Sequence, residues 1–405
     1  MQDGADILLF SHYFHPELVG SAPPITDLAR FAAAHGVKTN VLTARPSYPQ
    51  RQVFSGYGDG AKDHETDQGV CVRRLGSYIS PKGGVWGRLL TEGSFALRAL
   101  IYRMCHRPAA ANHVISVCPS IFVVFLAGLF KQKTGRHVAI VHDIQSGLGQ
   151  AVLKGGHAMT LLRWLERAAL NRTDAIITLS DTMAQTLRTL GVQRPIAVLP
   201  PQVDTAEITP QPEASGAFTV LYSGAFGQKQ DLDQVLSAAK ALQEARSDIR
   251  FFLRGAGGVI EALEAQIAED ALHTVSLMPF AARDDINHAF AQAHVHLVPQ
   301  ASRGADFAVP SKIFSIMSAG RPFVATAHPG STLERITAQS GAGLVVPPGE
   351  PKALAEALLR LQADDALRQS LGAAGRAYAL KHADREVICP QILSLAINAA
   401  TDAGF

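Results

Sequence analysis

The chain has 405 residues, 47% apolar and 18% charged, which excludes a disordered protein and predicts two domains of roughly 200 residues each. Its net charge of +2 conceals a division, because residues 1–205 carry +7 and the remainder −5, so the two halves are suited to different partners. Cys71, Cys105, Cys118 and Cys389 lie far apart with no CxxC pair, which excludes a zinc ribbon or a disulfide framework and fits a reducing cytoplasm.

The first ten residues, MQDGADILLF, lack a basic leader and a long apolar stretch. The longest apolar run, Val117 to Phe130, is broken by Pro119 and Ser120 and is too short for a bilayer. The expectation is a cytoplasmic protein that neither spans the membrane nor is secreted. ADILLF reads as a strand buried on both faces of a parallel sheet, and ITDLARFAAAHG as a helix closing on Gly36. VKTNVLT, HVISV, HVAIVHD and TDAIITLS continue as strands, the last followed by the helix DTMAQTLRTLG. A second cycle runs from strand FTVLYSG through helix LDQVLSAAKALQEA, strand IRFFLRG, helix VIEALEAQIAED, strands VSLMPF and VHLVPQ, and helix SKIFSIMSAG to strand PFVATA. Such alternation implies right-handed crossovers, and hence an α/β protein of two doubly wound, Rossmann-like domains.

PPQVDTAEITPQPEASG, rich in Pro and polar residues, reads as the linker between residues 1–205 and 206–382. EPKALAEALLRLQADDALRQSLGAAGRAYALKH reads as one final helix, before a tail at 383–405 that could return to the first domain. Open α/β sheets take ligands beyond the carboxyl ends of their strands, so the two domains are expected to face a shared cleft.

Several loops carry chemistry at those strand ends. SHYFHPELVGSAPP places His12, His15 and Glu17 after the first strand, with Gly20 and Ser21 able to offer backbone N–H groups to a phosphate; the spacing is not GxGxxG, and a plain turn is an equal reading. VHDIQSGLG sets His142, Asp143 and Gln145 after another strand, as a ligand site or as helix-capping hydrogen bonds. In LYSGAFGQKQDL, Ser223, Gly224, Phe226 and Gly227 precede Lys229 and a helix start, a combination of close backbone approach, helix dipole and formal charge suited to an anion. LRGAGG repeats this more weakly beside Arg254, with ordinary turn glycines as the default. In SRGADFAVPSKIF, Arg303, Gly304, Ala305, Asp306 and Phe307 form a loop, and Pro310 and Ser311 open a helix. Lys312 lies in its first turn, where the dipole disfavours a cation, so that either an anion binds there or the side chain snorkels to solvent.

Between Arg73 and Arg172, 14 basic side chains face only Glu92, Asp143 and Glu166. Within this region, KGGVWGRLLTEGSFALRALIYRMCHRP mixes apolar residues with arginines, as an amphipathic stretch for an anionic inner-membrane surface or as a helix packed on the sheet with a solvated basic face. Nucleic-acid binding motifs are missing.

Together HYFHPELVGSAPPITDLARFAAAHG, VLTARPSYP, YSGAFGQKQDLDQVL and GADFAVPSKIFSIMSAGRPFVAT resemble, in order through nearly the whole chain, family 4 glycosyltransferases of the colanic acid and O-antigen type. That resemblance implies a GT-B fold, retention of anomeric configuration and no metal cofactor. It implies a nucleotide diphosphate sugar, UDP before GDP, on the C-terminal domain, and a polyprenyl-diphosphate-linked acceptor on the N-terminal one. His142, Asp143, Lys229 and Lys312 are then the catalytic candidates. Arg303 and Asp306 would read the sugar, and Pro279, Phe280 and Arg254 would hold the base. His15, Glu17 and Gln145 would meet the acceptor. Two departures stand out: Phe307 and Ser315 occupy the places of a usual glutamate pair, and Ala225 that of a usual arginine. They leave open a sugar-nucleotide 2-epimerase and a membrane-associated scaffold.

Overall fold

The computed structural model describes residues 6–17, 20–48, 50–81, 84–118, 120–146, 156–213, 215–301 and 309–398. The chain divides into two compact units, Met1–Pro200 with Arg385–Phe405, and Pro201–Asp384.

The first unit is built on an eight-stranded sheet. Its strands are β1 (Asp6–Phe10), β2 (Lys38–Ala44), β3 (His64–Asp67), β4 (Val70–Leu75), β5 (His113–Cys118), β6 (His137–Val141), β7 (Ala175–Thr178) and β8 (Ile196–Val198), in the order β3-β4-β2-β1-β5-β6-β7-β8. Every pairing is parallel except β3 with β4. Strand β6, HVAIV, is buried at all five positions, as a strand covered on both faces must be. The edge strand β3, HETD, has no apolar periodicity, so its pairing is set by its neighbours: Asp67 receives two hydrogen bonds of 3.0 Å from Arg30. Ile388, Ile392 and Leu393 of the last helix, Arg385–Ile397, join Ile25, Leu28 and Val138 in this unit's core. The tail beyond residue 384 therefore belongs to the first unit.

The second unit has six parallel strands, β9 (Thr219–Ala225), β10 (Arg250–Ala256), β11 (Val275–Met278), β12 (Val295–Val298), β13 (Phe323–Thr326) and β14 (Gly343–Val346), in the order β11-β10-β9-β12-β13-β14. Strand order reverses between β9 and β12, and in the first sheet between β1 and β5. At such a reversal the carboxyl edge is where open α/β sheets take their ligands.

Two sequence expectations are corrected. The final helix is two helices, Pro351–Ala363 and Asp365–His382, because the Asp364 carboxylate accepts from Leu367 N at 2.8 Å and caps the second one. The segment read as a linker is a strap bound to the second unit. Arg376 donates to the carbonyls of Thr205, Ile208 and Ser318 at 2.7–3.0 Å, Arg321 to those of Gln211 and Pro212, and Arg283 pairs with Glu207. Proline and polar composition predicts a solvated segment, but four strap carbonyls find arginine donors in the tertiary structure. Arg376→Leu strips two of these strap contacts and the one to Ser318, and should cost about 1–3 kcal/mol of stability, measurable as a lowered urea midpoint at unchanged slope.

Candidate active site

In the second unit the charged and glycine-bearing segments meet where strand order reverses. Ser223 and Gly224 at the end of β9 stand in register with Arg254 and Gly255 of β10. A methyl group at Gly255 would run into the Gly224 carbonyl oxygen, and one at Gly257 into that of Phe226. The LRGAGG glycines therefore serve close strand approach, a stronger requirement than a turn.

Lys312 opens the helix Lys312–Ser318 that follows β12, and its side chain reaches back to β9. Its Nζ sits 3.8 Å from the centroid of the Tyr222 ring, over Gly224, where any side chain would collide with it. Tyr222 is fixed by its own hydroxyl, which donates to Ala225 O at 2.6 Å. Among the described residues no carboxylate pairs with the ammonium. Burial alone pulls Lys312 down from 10.5 to about 7. The aromatic face supplies cation–π attraction but no countercharge.

Lys229 lies in the loop after β9 with an exposed side chain, and its carbonyl accepts from Ala301 N at 2.8 Å. That bond ties the loop after β9 to the one after β12. Gly227 lies in the same turn, whereas Phe226 is a core side chain 1% exposed, so only its backbone faces the loop. Arg254 is buried and donates to Pro279 O and to Gln292 Oε1 at 3.3 Å each. Pro279 is exposed and Phe280 half-buried beside it; Pro310 and Ser315 are half-buried and Ser311 exposed around Lys312. Arg303, Gly304, Ala305, Asp306 and Phe307 lie outside the described residues.

The first unit gathers a second polar cluster at the carboxyl ends of β1, β5 and β6. His142 and Asp143 follow β6; burial lowers His142 to about 4, which keeps its ring neutral at pH 7. Gln145 N and Ser146 N donate to Glu166 at 2.8 and 3.2 Å, and the Gln145 side chain reaches Glu92 at 3.5 Å. Arg88 donates to Glu92 at 2.7 Å. Burial raises both carboxyls above the usual range. These two acids, with Asp143, are the three sparse carboxylates of the basic region; sequence reasoning counted them without seeing that they converge. Their scarcity in a cationic stretch was the available signal. Tyr222 offered none, since an aromatic in an apolar strand reads as core.

Glu17 is a brace for the loop after β1. Its oxygens accept from Ser47 N at 2.9 Å, Tyr48 N at 2.8 Å and Phe14 N at 3.2 Å, and burial pushes it up to about 7. His15 is half-buried and donates its N–H to Thr26 Oγ1 at 3.0 Å. Gly20 adopts φ 69°, a left-handed conformation that favours glycine. His12 is buried against Phe95 and Tyr13, and burial takes it down to about 3. Among the described residues no three His, Cys, Asp or Glu side chains converge as metal ligands, and no helix is long and apolar enough to cross a membrane.

Residues 217–364, which hold Lys312 and the glycine-lined strand ends, match the family described as Glycosyl transferases group 1, and residues 19–202 match the Glycosyl transferase 4-like domain. The chain belongs to this glycosyltransferase family. It is 27% identical to WcaI of Escherichia coli K12, named as a colanic acid biosynthesis glycosyl transferase, over 96% of this chain and 98% of that one. Among solved structures, sucrose-phosphate synthase from Thermosynechococcus elongatus superposes with a TM-score of 0.76 at 18% identity, covering 96% of this chain and 98% of the other. HepE of Anabaena, solved with UDP and glucose, gives 0.71 at 15% identity with the same coverage. The fold is therefore that of the two-domain GT-B glycosyltransferases.

Gly255→Ala in this glycosyltransferase should cost about 1–3 kcal/mol by overpacking, seen as a lowered melting temperature. Lys312→Met tests the desolvated ammonium. The folded-state value of about 7 lies below the ordinary 10.5, so burial opposes folding fully below pH 7 and the penalty fades as pH rises towards 10.5. The variant should melt higher than the parent at pH 7, with the gap closing by pH 10; an equal gap at both would contradict the assignment.

Proposed function

We propose that this glycosyltransferase moves a sugar from a UDP-linked donor, with retention of configuration, to a polyprenyl-diphosphate-linked saccharide in polysaccharide assembly at an anionic membrane surface. The observation that carries the reading is the Lys312 ammonium, desolvated over Tyr222 and Gly224 with no described carboxylate, at the reversal of strand order in the second unit. A diphosphate is the countercharge such a site lacks. HepE, a structural neighbour, was solved with UDP and glucose, and WcaI carries a name from exopolysaccharide assembly; both support the choice of donor and product.

In this reading the bond from the anomeric carbon to the diphosphate oxygen breaks, and its electron pair leaves with the diphosphate. Lys312 stabilises that developing charge, joined by Lys229 from the adjoining loop, which is electrostatic transition-state stabilisation. The acceptor hydroxyl attacks from the same face and passes its proton to the departing phosphate oxygen. His142, neutral at pH 7, and Asp143 orient the sugar through hydrogen bonds. Ser223, Gly224, Gly227, Ser311 and Ser315 line the phosphate and ribose, with Pro279, Phe280 and the Arg254 loop at the base; Gln145 and His15 serve the acceptor. No paired carboxylates at hydrolase spacing are required.

Isothermal titration with UDP and with GDP tests the assignment. UDP should bind the parent, and Lys312→Met should bind it at least about tenfold more weakly, the loss of one charge-assisted contact. Because the diphosphate favours the ammonium and free Lys312 gives up its proton near 7, affinity should fall above pH 7, by up to about tenfold per unit, and stay flat in the variant. Equal affinities and parallel pH profiles for the two proteins would sink the proposal.

A further inference from the structure

Two helices of the first unit, Gly84–His106 and His157–Leu170, turn long apolar side chains outward. Leu90, Leu97, Ile101 and Met104 recur at helical spacing along the first, from 42% exposed at Ile101 to 66% at Met104. Leu161 and Trp164 do the same on the second, at 56% and 53%. Between them and the helix Ile121–Ala127 runs a groove of about 340 Å3, walled by Leu97, Leu100, Phe122, Phe125, Leu162 and Leu165. Among the described residues its one polar wall is Gln145, the residue that bonds Glu92 and follows His142 and Asp143.

The charge around this groove has one sign. Arg98, Arg163, Arg167 and Arg172 are exposed, and the two long helices carry just two carboxylates, Glu92, which pairs with Arg88, and Glu166, both buried. A second copy of the chain would bring two cationic rims together, which like-charge repulsion opposes. A partner helix, about 10 Å across with its side chains, would rest on the face and leave the groove unfilled. A single hydrocarbon chain fills an apolar channel of this size, and an anionic head satisfies the arginines around it.

We propose that this groove seats the hydrocarbon tail of the lipid-linked acceptor, with its diphosphate among the rim arginines and its sugar end directed past Gln145. The inference rests on the acceptor reading above and adds where the lipid is held.

The test uses the full chain with vesicles of phosphatidylethanolamine and phosphatidylglycerol containing a benzophenone-bearing polyprenyl phosphate. Irradiation should label peptides from the three groove helices. Unlabelled polyprenyl phosphate should suppress labelling, whereas extra phosphatidylglycerol should not. Leu97→Glu places a charge in the wall at an exposed position, and Leu162→Trp fills the groove without changing charge. Each should reduce labelling more than tenfold while leaving the melting temperature and UDP affinity as in the parent. Labelling on other surfaces, full labelling of Leu162→Trp, or equal competition by phosphatidylglycerol would overturn the assignment. Sugar transfer to a polyprenyl-linked acceptor, measured in parallel, reports on the acceptor reading separately: groove labelling without transfer refutes that reading, and transfer without groove labelling refutes only the seat.

Discussion

A half-buried lysine whose ammonium lies over an aromatic ring, with no described carboxylate pairing with it, is the constraint on which the candidate site of the second unit depends. Desolvation disfavours the charged form, and a cation–π contact returns only part of what hydration supplied. The surrounding glycines make the arrangement possible. Gly224 leaves the space that the lysine end occupies, and Gly255 lets β10 lie against it closely enough to fix that edge of the sheet. Strand order reverses between β9 and β12, and the ammonium lies at the carboxyl end of β9 beside that reversal, where open α/β sheets take their ligands.

The first unit solves a related problem with the opposite charge. Glu17, Glu92 and Glu166 are buried carboxylates: Glu17 is satisfied by three backbone amides of its loop, Glu166 by two amides of the 145–146 turn, and Glu92 by Arg88 one turn earlier on its own helix. Such groups stabilise the loops they bind by forfeiting contact with solvent. The Glu166 bonds hold the turn that follows His142 and Asp143, while the net charge of residues 1–205 remains basic. The +7 of residues 1–205 is thus spent outward, with several of its acids turned inward.

Residues that depart from the common family pattern bear on this arrangement. Ala225, where the family resemblance implies an arginine, offers the carbonyl that accepts the Tyr222 hydroxyl and so holds the ring under Lys312. An arginine at 225 would add a second cation to a loop edge already carrying one. Ser315 lies one turn beyond Lys312 on the same short helix and is half-buried, so it offers a hydroxyl where the family resemblance implies a carboxylate. Family membership and fold stand independently of these substitutions, since the matched segments cover most of both units.

The sequence by itself determined the α/β class, the two cycles of strand and helix, and the loops that carry charge, because continuous apolar runs and strand-end glycines follow from local burial and backbone geometry. It also placed Lys312 in a first helical turn, where a cation needs a reason. It could not determine β3, whose four polar residues pair only because β4 lies beside them, or the break at Asp364, where one side-chain cap ends a continuous helical pattern. Nor could it show that the proline-rich strap is bound, since its partners Arg283, Arg321 and Arg376 lie about 70 or more residues away in the chain. Tyr222 under the lysine, and the meeting of Glu92 and Glu166 behind Gln145, were decided by tertiary structure alone. Local periodicity records which face of an element is buried, whereas the partner across a contact is chosen only when distant segments are brought together.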